Sequence, residues 1–288
     1  MLLSRERVSL VFMEKDRRRY EHLQGELTAR FGPLDDLPVS VKPCHGSAGT
    51  DAEAVLSRVG AWGDPILAVF DSWGNVNVPL TLIERIAHNP SSEVIVTFGP
   101  NWFSRREDLN TRQLDSVFGG RAHWERADRE RHTDERWRSW LSSYRNALRR
   151  SGFRYQLHFR IVPRTGQPLY LVYGTGNDKG VEVMKAAMWD VDGTDGMGFQ
   201  DPRTRGAQPL GQQTLWADRA QPELLELVRQ RLEAGPVSLE ELRRWLLLET
   251  AQWQEKHARQ AVQEMEQDGA VSVHPSGRLT RTSMIRLR

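Results

Sequence analysis

Val8-Ser-Leu-Val-Phe-Met13 is a short run of β-branched, aliphatic and aromatic residues. It breaks at Glu14-Lys-Asp16 into a segment whose apolar residues fall at Tyr20, Leu23, Leu27 and Phe31. The first half has the composition of a strand, and the second repeats at helical spacing. The alternation recurs downstream. Val39-Ser-Val-Lys42 reads as a strand, Asp51 as the N-cap of a helix through Val59, and Ile66-Leu-Ala-Val-Phe70 as a strand. Pro79 opens a helix through Ala87, and Glu93-Val-Ile-Val-Thr-Phe98 is again a strand. Strands that are apolar almost throughout and alternate with helices predict a mostly parallel sheet covered on both faces, that is, a doubly wound, Rossmann-like α/β domain.

Outward from that core the pattern changes. Residues 101–152 are rich in Arg and Trp, and Trp137, Trp140, Leu141, Tyr144 and Leu148 keep one apolar helix face, as in a helical insertion or cap. Phe153–Val162 and Leu169–Tyr173 flank Pro163-Arg-Thr-Gly-Gln-Pro168 and read as an antiparallel hairpin, followed by a helix from Gly180 to Trp189. Residues 193–220 carry Gly, Gln, Pro and Asp without apolar periodicity and read as a linker. The remainder, 221–288, predicts helices over 221–234, 238–248 and 253–268, then strands at Ala270–His274 and Leu279–Leu287 turning at Pro275-Ser-Gly-Arg278. Three short helices followed by a two-stranded wing make a winged-helix pattern. The expected division is therefore a domain at 1–192, a linker at 193–220 and a winged-helix domain at 221–288.

The 288 residues suffice for one large α/β domain and a small satellite. With 39% apolar and 27% charged residues the chain has globular composition, which excludes long disorder and collagen-like or coiled-coil readings. Its 40 basic and 38 acidic residues balance to +2, so any nucleic-acid footprint must be local. The single Cys44 excludes a disulfide framework and argues against a cysteine metal site, as suits a reducing compartment. Apolar runs such as Pro65–Phe70 are too short to span a bilayer, and the N-terminal residues lack signal-peptide shape. The expectation is a cytoplasmic protein with no membrane partner and no metal.

Four segments carry a family resemblance: Val11-Phe-Met-Glu-Lys-Asp16, Asp64-Pro-Ile-Leu-Ala-Val-Phe-Asp-Ser-Trp-Gly74, Pro168-Leu-Tyr-Leu-Val-Tyr-Gly174 and Lys179-Gly-Val-Glu-Val-Met-Lys-Ala-Ala-Met-Trp189. With the winged-helix tail they resemble the three-Cys-motif partner protein family across nearly the whole chain, the last segment being the most specific. The resemblance implies a core like that of class I S-adenosylmethionine methyltransferases and a protein partner, a radical enzyme with a three-cysteine signature. Two features depart from the family pattern. Its glycine-rich loop after the first strand, which would hold the methionine part of the cofactor, has no counterpart here, and its Asp-Pro-Phe-Gly appears as Asp71-Ser-Trp-Gly74.

Candidate site residues follow from strand ends and from charge. Glu14 stands where a class I methyltransferase places a carboxylate for the cofactor ribose; the alternative is a carboxylate at a helix start. Gly46 and Ser47, in Cys44-His-Gly-Ser47, would border the adenine or form an ordinary turn. Asp71 would orient a substrate amine for methyl transfer or cap the turn before Gly74. Gly174-Thr-Gly-Asn-Asp-Lys-Gly180 superficially resembles a dinucleotide loop but has the wrong spacing. Lys185 and Trp189 read as a packed helix face. The run His132-Thr-Asp-Glu135 reads as an acidic turn, and Arg126, Arg129, Arg131, Arg136 and Arg138, alternating with carboxylates, as a solvated ion-pair surface. In the winged helix, the third helix presents Gln254, Lys256, His257, Arg259 and Gln260, and residues 269–288 add Arg278, Arg281, Arg286 and Arg288 with no acidic residue.

Two functional readings result, and sequence does not separate them from a third, a pure protein-interaction partner of the radical enzyme. The first is a methyltransferase-like scaffold, with no cofactor, whose winged helix binds nucleic acid or a protein partner through residues such as Lys256, Arg259, Arg278 and Arg281. The second is an active S-adenosylmethionine-dependent nucleic-acid methyltransferase with Glu14, Gly46, Ser47 and Asp71 in the crevice. In a class I methyltransferase sheet the strand before that glycine-rich loop is central. Without it, either Val8–Met13 and Ile66–Phe70 pair directly, the favoured outcome, or an outside segment fills the slot, since unpaired backbone groups in a buried sheet cost about 1–3 kcal/mol each.

Overall fold

Asp16 accepts the Arg19 N–H at 2.9 Å, so the chain leaves its first strand, β1 (Ser9–Glu14), and enters α1 (Arg17–Phe31) within three residues. The structure, a computed structural model, describes residues 4, 6–72, 75–104, 111–130, 132–201, 203 and 220–288. After α1 come β2 (Ser40–His45), α2 (Ala52–Arg58), β3 (Leu67–Phe70), α3 (Leu80–His88) and β4 (Glu93–Phe98). Four helices follow, α4 (Pro100–Ser104), α5 (Thr111–Phe118), α6 (Glu125–Arg129) and α7 (Thr133–Arg150), and then β5 (Tyr155–Val162), β6 (Leu169–Thr175), α8 (Asp178–Val191) and β7 (Gly198–Gln200). The C-terminal unit comprises α9 (Pro222–Glu233), β8 (Val237–Ser238), α10 (Leu239–Glu249), α11 (Glu255–Gln267), β9 (Val271–His274) and β10 (Met284–Leu287). The fold is α/β.

The principal sheet has the order β3-β4-β6-β5-β7 and is mixed, not mostly parallel. β3–β4 and β5–β7 are parallel, but the β5–β6 hairpin sets β6 antiparallel to β4. The stretch 193–220 contributes β7 to this sheet's edge; residues 202 and 204–219 of that stretch lie outside the described residues.

β1 and β2 form a separate parallel pair, so the expected direct pairing of Val8–Met13 with Ile66–Phe70 does not occur. The expectation assumed a buried edge. Leu67 and Val69 on β3 are 59% and 60% exposed, and Leu10 and Phe12 on β1 are 42% and 40% exposed. Water reaches these edges, so their polar groups do not bear the desolvation penalty that would force closure. Coverage on both faces is likewise confined to part of the sheet. One face carries a continuous core of Ile83 and Ile86 from α3, Val94, Val96 and Phe98 from β4, Leu114 and Phe118 from α5, and Trp140, Tyr144 and Leu148 from α7. Phe98 is stacked between Phe103 at 5.0 Å and Tyr144 at 4.9 Å. The helices of 101–152 thus contribute buried side chains to this core; residues 105–110 lie outside the described residues. On the other face α8 covers β5 and β6 through Val181 and Met188 against Tyr155, Leu157, Phe159 and Tyr173, and leaves β3 open.

In the C-terminal unit, three helices pack on a small antiparallel sheet of order β8-β10-β9 around Leu224, Val228, Leu242, Leu246, Val262, Met265 and Ile285. A reciprocal cap starts α10: Ser238 Oγ accepts the Glu241 N–H at 3.2 Å and Glu241 Oε2 accepts the Ser238 N–H at 2.7 Å. The unit docks on α8. Lys185, fully buried, donates to the carbonyl oxygens of Leu246 (3.1 Å), Leu247 (2.6 Å), Thr250 (2.8 Å) and Trp253 (2.9 Å), and the Trp189 indole donates to that of Gln252 at 2.8 Å.

Candidate functional site

The strand-end residues fall into two groups. The β1–β2 register sets Glu14 opposite His45, and the Gly46 N–H donates to the Glu14 carbonyl at 3.0 Å, so Glu14, Gly46 and Ser47 come together. Each is engaged locally. Glu14 Oε1 accepts the Asp16 N–H at 2.8 Å. A Cβ at Gly46 would stand 3.2 Å from Asp51 Cβ and 3.4 Å from Met13 Cε. Asp51 Oδ2 accepts the Ser47 N–H at 2.7 Å and the Thr50 hydroxyl at 3.1 Å, which together hold its carboxyl below the usual range.

Asp71 follows β3, in the other sheet. The Thr97 hydroxyl lies 3.0 Å from Asp71 Oδ1 and accepts the Ser72 N–H at 3.0 Å. Trp73 and Gly74, the rest of that motif, lie outside the described residues. At the exits of the two strand groups a Cβ at Gly49 would stand 2.6 Å from the Asn77 carbonyl oxygen.

Elsewhere the sequence candidates have structural work. In Gly174–Gly180, Asn177 Oδ1 caps α8 by accepting the Lys179 N–H at 2.8 Å, and Thr175 Oγ1 donates to Glu93 at 2.8 Å. Close approach at Gly180 is to side chains: a Cβ there would meet Glu93 Oε1, with the Tyr173 hydroxyl at 2.6 Å and Thr175 Oγ1 at 2.7 Å. Arg129 pairs with Glu125 at 2.7 Å and Arg136 with Asp128 at 2.9 Å; Arg131 lies outside the described residues. Among the described residues no cluster of three His, Cys, Asp or Glu side chains could hold a metal, and no helix is long and apolar enough to cross a membrane.

The basic surface lies on the C-terminal unit and is narrower than the sequence implies. Gln254 is the N-cap of α11, and its N–H donates to His257 Nδ1 at 3.0 Å. His257 is buried, 4.5 Å from the Trp189 ring and 5.4 Å from that of Trp253, and burial, with Lys256 and Lys185 nearby, pulls its pKa down to about 4. Apolar packing of that helix face withdraws His257 from solvent and leaves Gln254 half-buried, and polar residue type gave no warning of it. Lys256 and Arg259, one turn apart, remain exposed. On the loop joining β9 to β10, Arg278 and Arg281 are exposed, as is Arg286 on β10. Arg281 approaches Glu240 at 3.6 Å in an open pair, whereas Lys256, Arg259, Arg278 and Arg286 make no ion pair among the described residues. Comparison with protein-family models and with curated proteins finds no match for this chain.

Proposed function

We propose that the chain is a nucleic-acid-binding scaffold, in which a Rossmann-like, methyltransferase-like core carries a winged helix that grips the phosphate backbone through α11 and the β9–β10 loop. The pairing state of the basic side chains carries this reading. Lys256, Arg259 and Arg278 make no ion pair among the described residues, and residues 269–288 contain no acidic residue, although the whole chain is nearly neutral. Exposed, unpaired positive charge beside a stretch free of carboxylates is a footprint suited to phosphate contacts. The strand pairs support the core reading, because β1–β2 and β3–β4 are each parallel with a helix between their strands, the repeating unit of a doubly wound sheet. Resemblance to three-Cys-motif partner proteins adds a radical enzyme as a protein partner. Its most specific segment, Lys179–Trp189, lies in α8, whose Lys185 and Trp189 latch the C-terminal unit.

Duplex DNA binding, measured by fluorescence anisotropy across a salt series, tests the proposal. Binding should weaken steeply with salt, and exchanging both Arg278 and Arg281 for Glu should abolish it while leaving the melting temperature nearly unchanged. Binding that ignores salt would assign this surface to a protein partner. The methyltransferase reading does not fit the crevice as it stands, because Glu14 caps its own turn and the Ser47 N–H belongs to Asp51. We derive no methyl-transfer step. Titration with S-adenosylmethionine should give no heat, and a micromolar Kd would reverse this judgement.

A further inference from the structure

Where the sheet domain meets the C-terminal unit, a cavity of about 570 Å³ opens between α7, the start of β5 and the end of α10. Three guanidinium groups line it. Arg145 and Arg149 stand one turn apart on α7, and Arg154 comes just before β5. Gln156 holds the first two in place: its carbonyl oxygen accepts from Arg145 Nη2 at 3.0 Å, and its side-chain Oε1 accepts from Arg149 Nε at 3.3 Å. Arg154 lies 4.9 Å from the centre of the Tyr155 ring, so it too is positioned by a neighbour. The opposite wall is Leu248, Glu249, Thr250 and Ala251.

None of these three arginines forms an ion pair among the described residues, in contrast to Arg129, Arg136 and Arg243. Asp178, which accepts the Tyr155 hydroxyl at 2.7 Å, is already paired with Arg244 of α10 at 3.0 Å. Neighbouring groups register the surplus of positive charge. Burial and Arg149 pull the Arg145 pKa below its ordinary value, and burial and Arg145 pull that of His158 down to about 4. A helix C-terminus repels an anion, but the carbonyl oxygens that end α10 are turned to the Lys185 ammonium. A half-buried guanidinium held beside a like charge is costly unless an anion meets it.

We propose that this cavity binds the phosphate group of a small phosphate monoester, seated among Arg145, Arg149 and Arg154 and bordered by residues 248–251. Three guanidiniums less the carboxylate of Glu249 leave a charge of about +2, which a phosphate monoester near −2 neutralises and a single carboxylate does not. A phosphate monoester also offers three terminal oxygens, one for each guanidinium, whereas a carboxylate offers two. The volume falls in the range of small-ligand sites, about 300–1,000 Å³. Because both units wall the cavity, the ligand bridges them beside the Lys185 contact. The site shares no residue with the proposed nucleic-acid surface and does not depend on it.

Isothermal titration of the full chain at constant ionic strength tests the site, with glycerol 3-phosphate and inorganic phosphate as probes and glycerol and acetate as controls. Glycerol 3-phosphate should bind with a Kd of about 1 mM or tighter, and neither control should give heat. Arg149→Gln and Arg154→Gln alter exposed side chains, so each should weaken binding about tenfold with the melting temperature unchanged. Lys256→Ala and Arg259→Ala should leave it as it is. Glu249→Gln removes the opposing charge and should tighten it. No heat from glycerol 3-phosphate, binding that survives both arginine variants, or weaker binding by Glu249→Gln would overturn the proposal. So would inorganic phosphate that the ester cannot displace, since the free ion would then be the occupant. Displacement of the ester by short duplex DNA, in a competition that Arg149→Gln abolishes, would give the cavity to a nucleic-acid backbone instead.

Discussion

Lys185 Nζ of α8 lies 2.6 Å from the carbonyl oxygen of Leu247 in the last turn of α10, and that contact locks the C-terminal unit to the sheet domain. The ammonium's three donors are shared among four carbonyl oxygens at the end of a helix, where positive charge is favoured, while burial pulls the group's pKa down to about 7. Lys185→Met keeps the side-chain length and removes every donor, leaving buried carbonyls unmet. Urea unfolding should show a loss of roughly 2–4 kcal/mol, and a loss below 0.5 kcal/mol would mean that water replaces the ammonium.

His257 predicts an acid-side loss of stability. Its Nδ1 accepts the Gln254 N–H, which requires that nitrogen to be unprotonated, and burial holds its pKa at about 4 against 6.5 when unfolded. Between those values the unfolded chain binds a proton that the folded chain does not, so stability falls as pH drops from 6.5 toward 4. The slope is about 1.4 kcal/mol per pH unit for this group. His257→Gln should flatten the measured pH dependence by one proton equivalent; an unchanged slope would place the titration elsewhere, with half-buried His158 as the next group to replace.

Gly180 tests the packing of α8 on β4 and β6. Gly180→Ala would put a methyl group against Glu93, Tyr173 and Thr175, breaking the Thr175–Glu93 bond or shifting the helix. The expected cost is about 1–3 kcal/mol in thermal unfolding. An unchanged melting temperature would show that the Glu93 side chain simply swings away.

What the sequence conveyed and what it hid divide along a physical line. β1, β3 and β4 were legible because each is a run of apolar residues between clear breakers, and α3 and α7 because their apolar residues keep helical spacing. β7 and β8 were not, since three and two residues are too few for periodicity, and Gly198 carries no side chain to signal a face. The open edges of β1 and β3 were misjudged because pairing depends on what stands between two strands, which no local pattern encodes. At the candidate sites, apolar runs put Glu14, Gly46, Ser47 and Asp71 at strand ends, where they stand, but did not convey that Asp16, Asp51 and Thr97 would engage Glu14, Ser47 and Asp71. His257 was read as exposed because burial of a polar ring against Trp189 and Trp253 depends on docking between units.

The basic surface makes a prediction about salt that separates phosphate contacts from structural arginines. Lys256 and Arg259 lie one turn apart on α11 and make no ion pair among the described residues, whereas Arg243 of α10 is bound to Glu240 at 3.0 Å and Glu255 at 2.5 Å. A free cation that meets a phosphate releases a condensed counterion. A cation already neutralised by two carboxylates has little charge to offer and would have to break those pairs first. Lys256→Ala and Arg259→Ala should therefore each lower the slope of log affinity against log salt by about 1, nearly independently of DNA sequence, and leave stability within about 0.5 kcal/mol. Arg243→Ala should leave the slope unchanged and lower stability instead, because it removes the cation that Glu240 and Glu255 share. If Arg243→Ala flattens the slope while Lys256→Ala and Arg259→Ala do not, the nucleic acid lies along α10, and α11 is free for a protein.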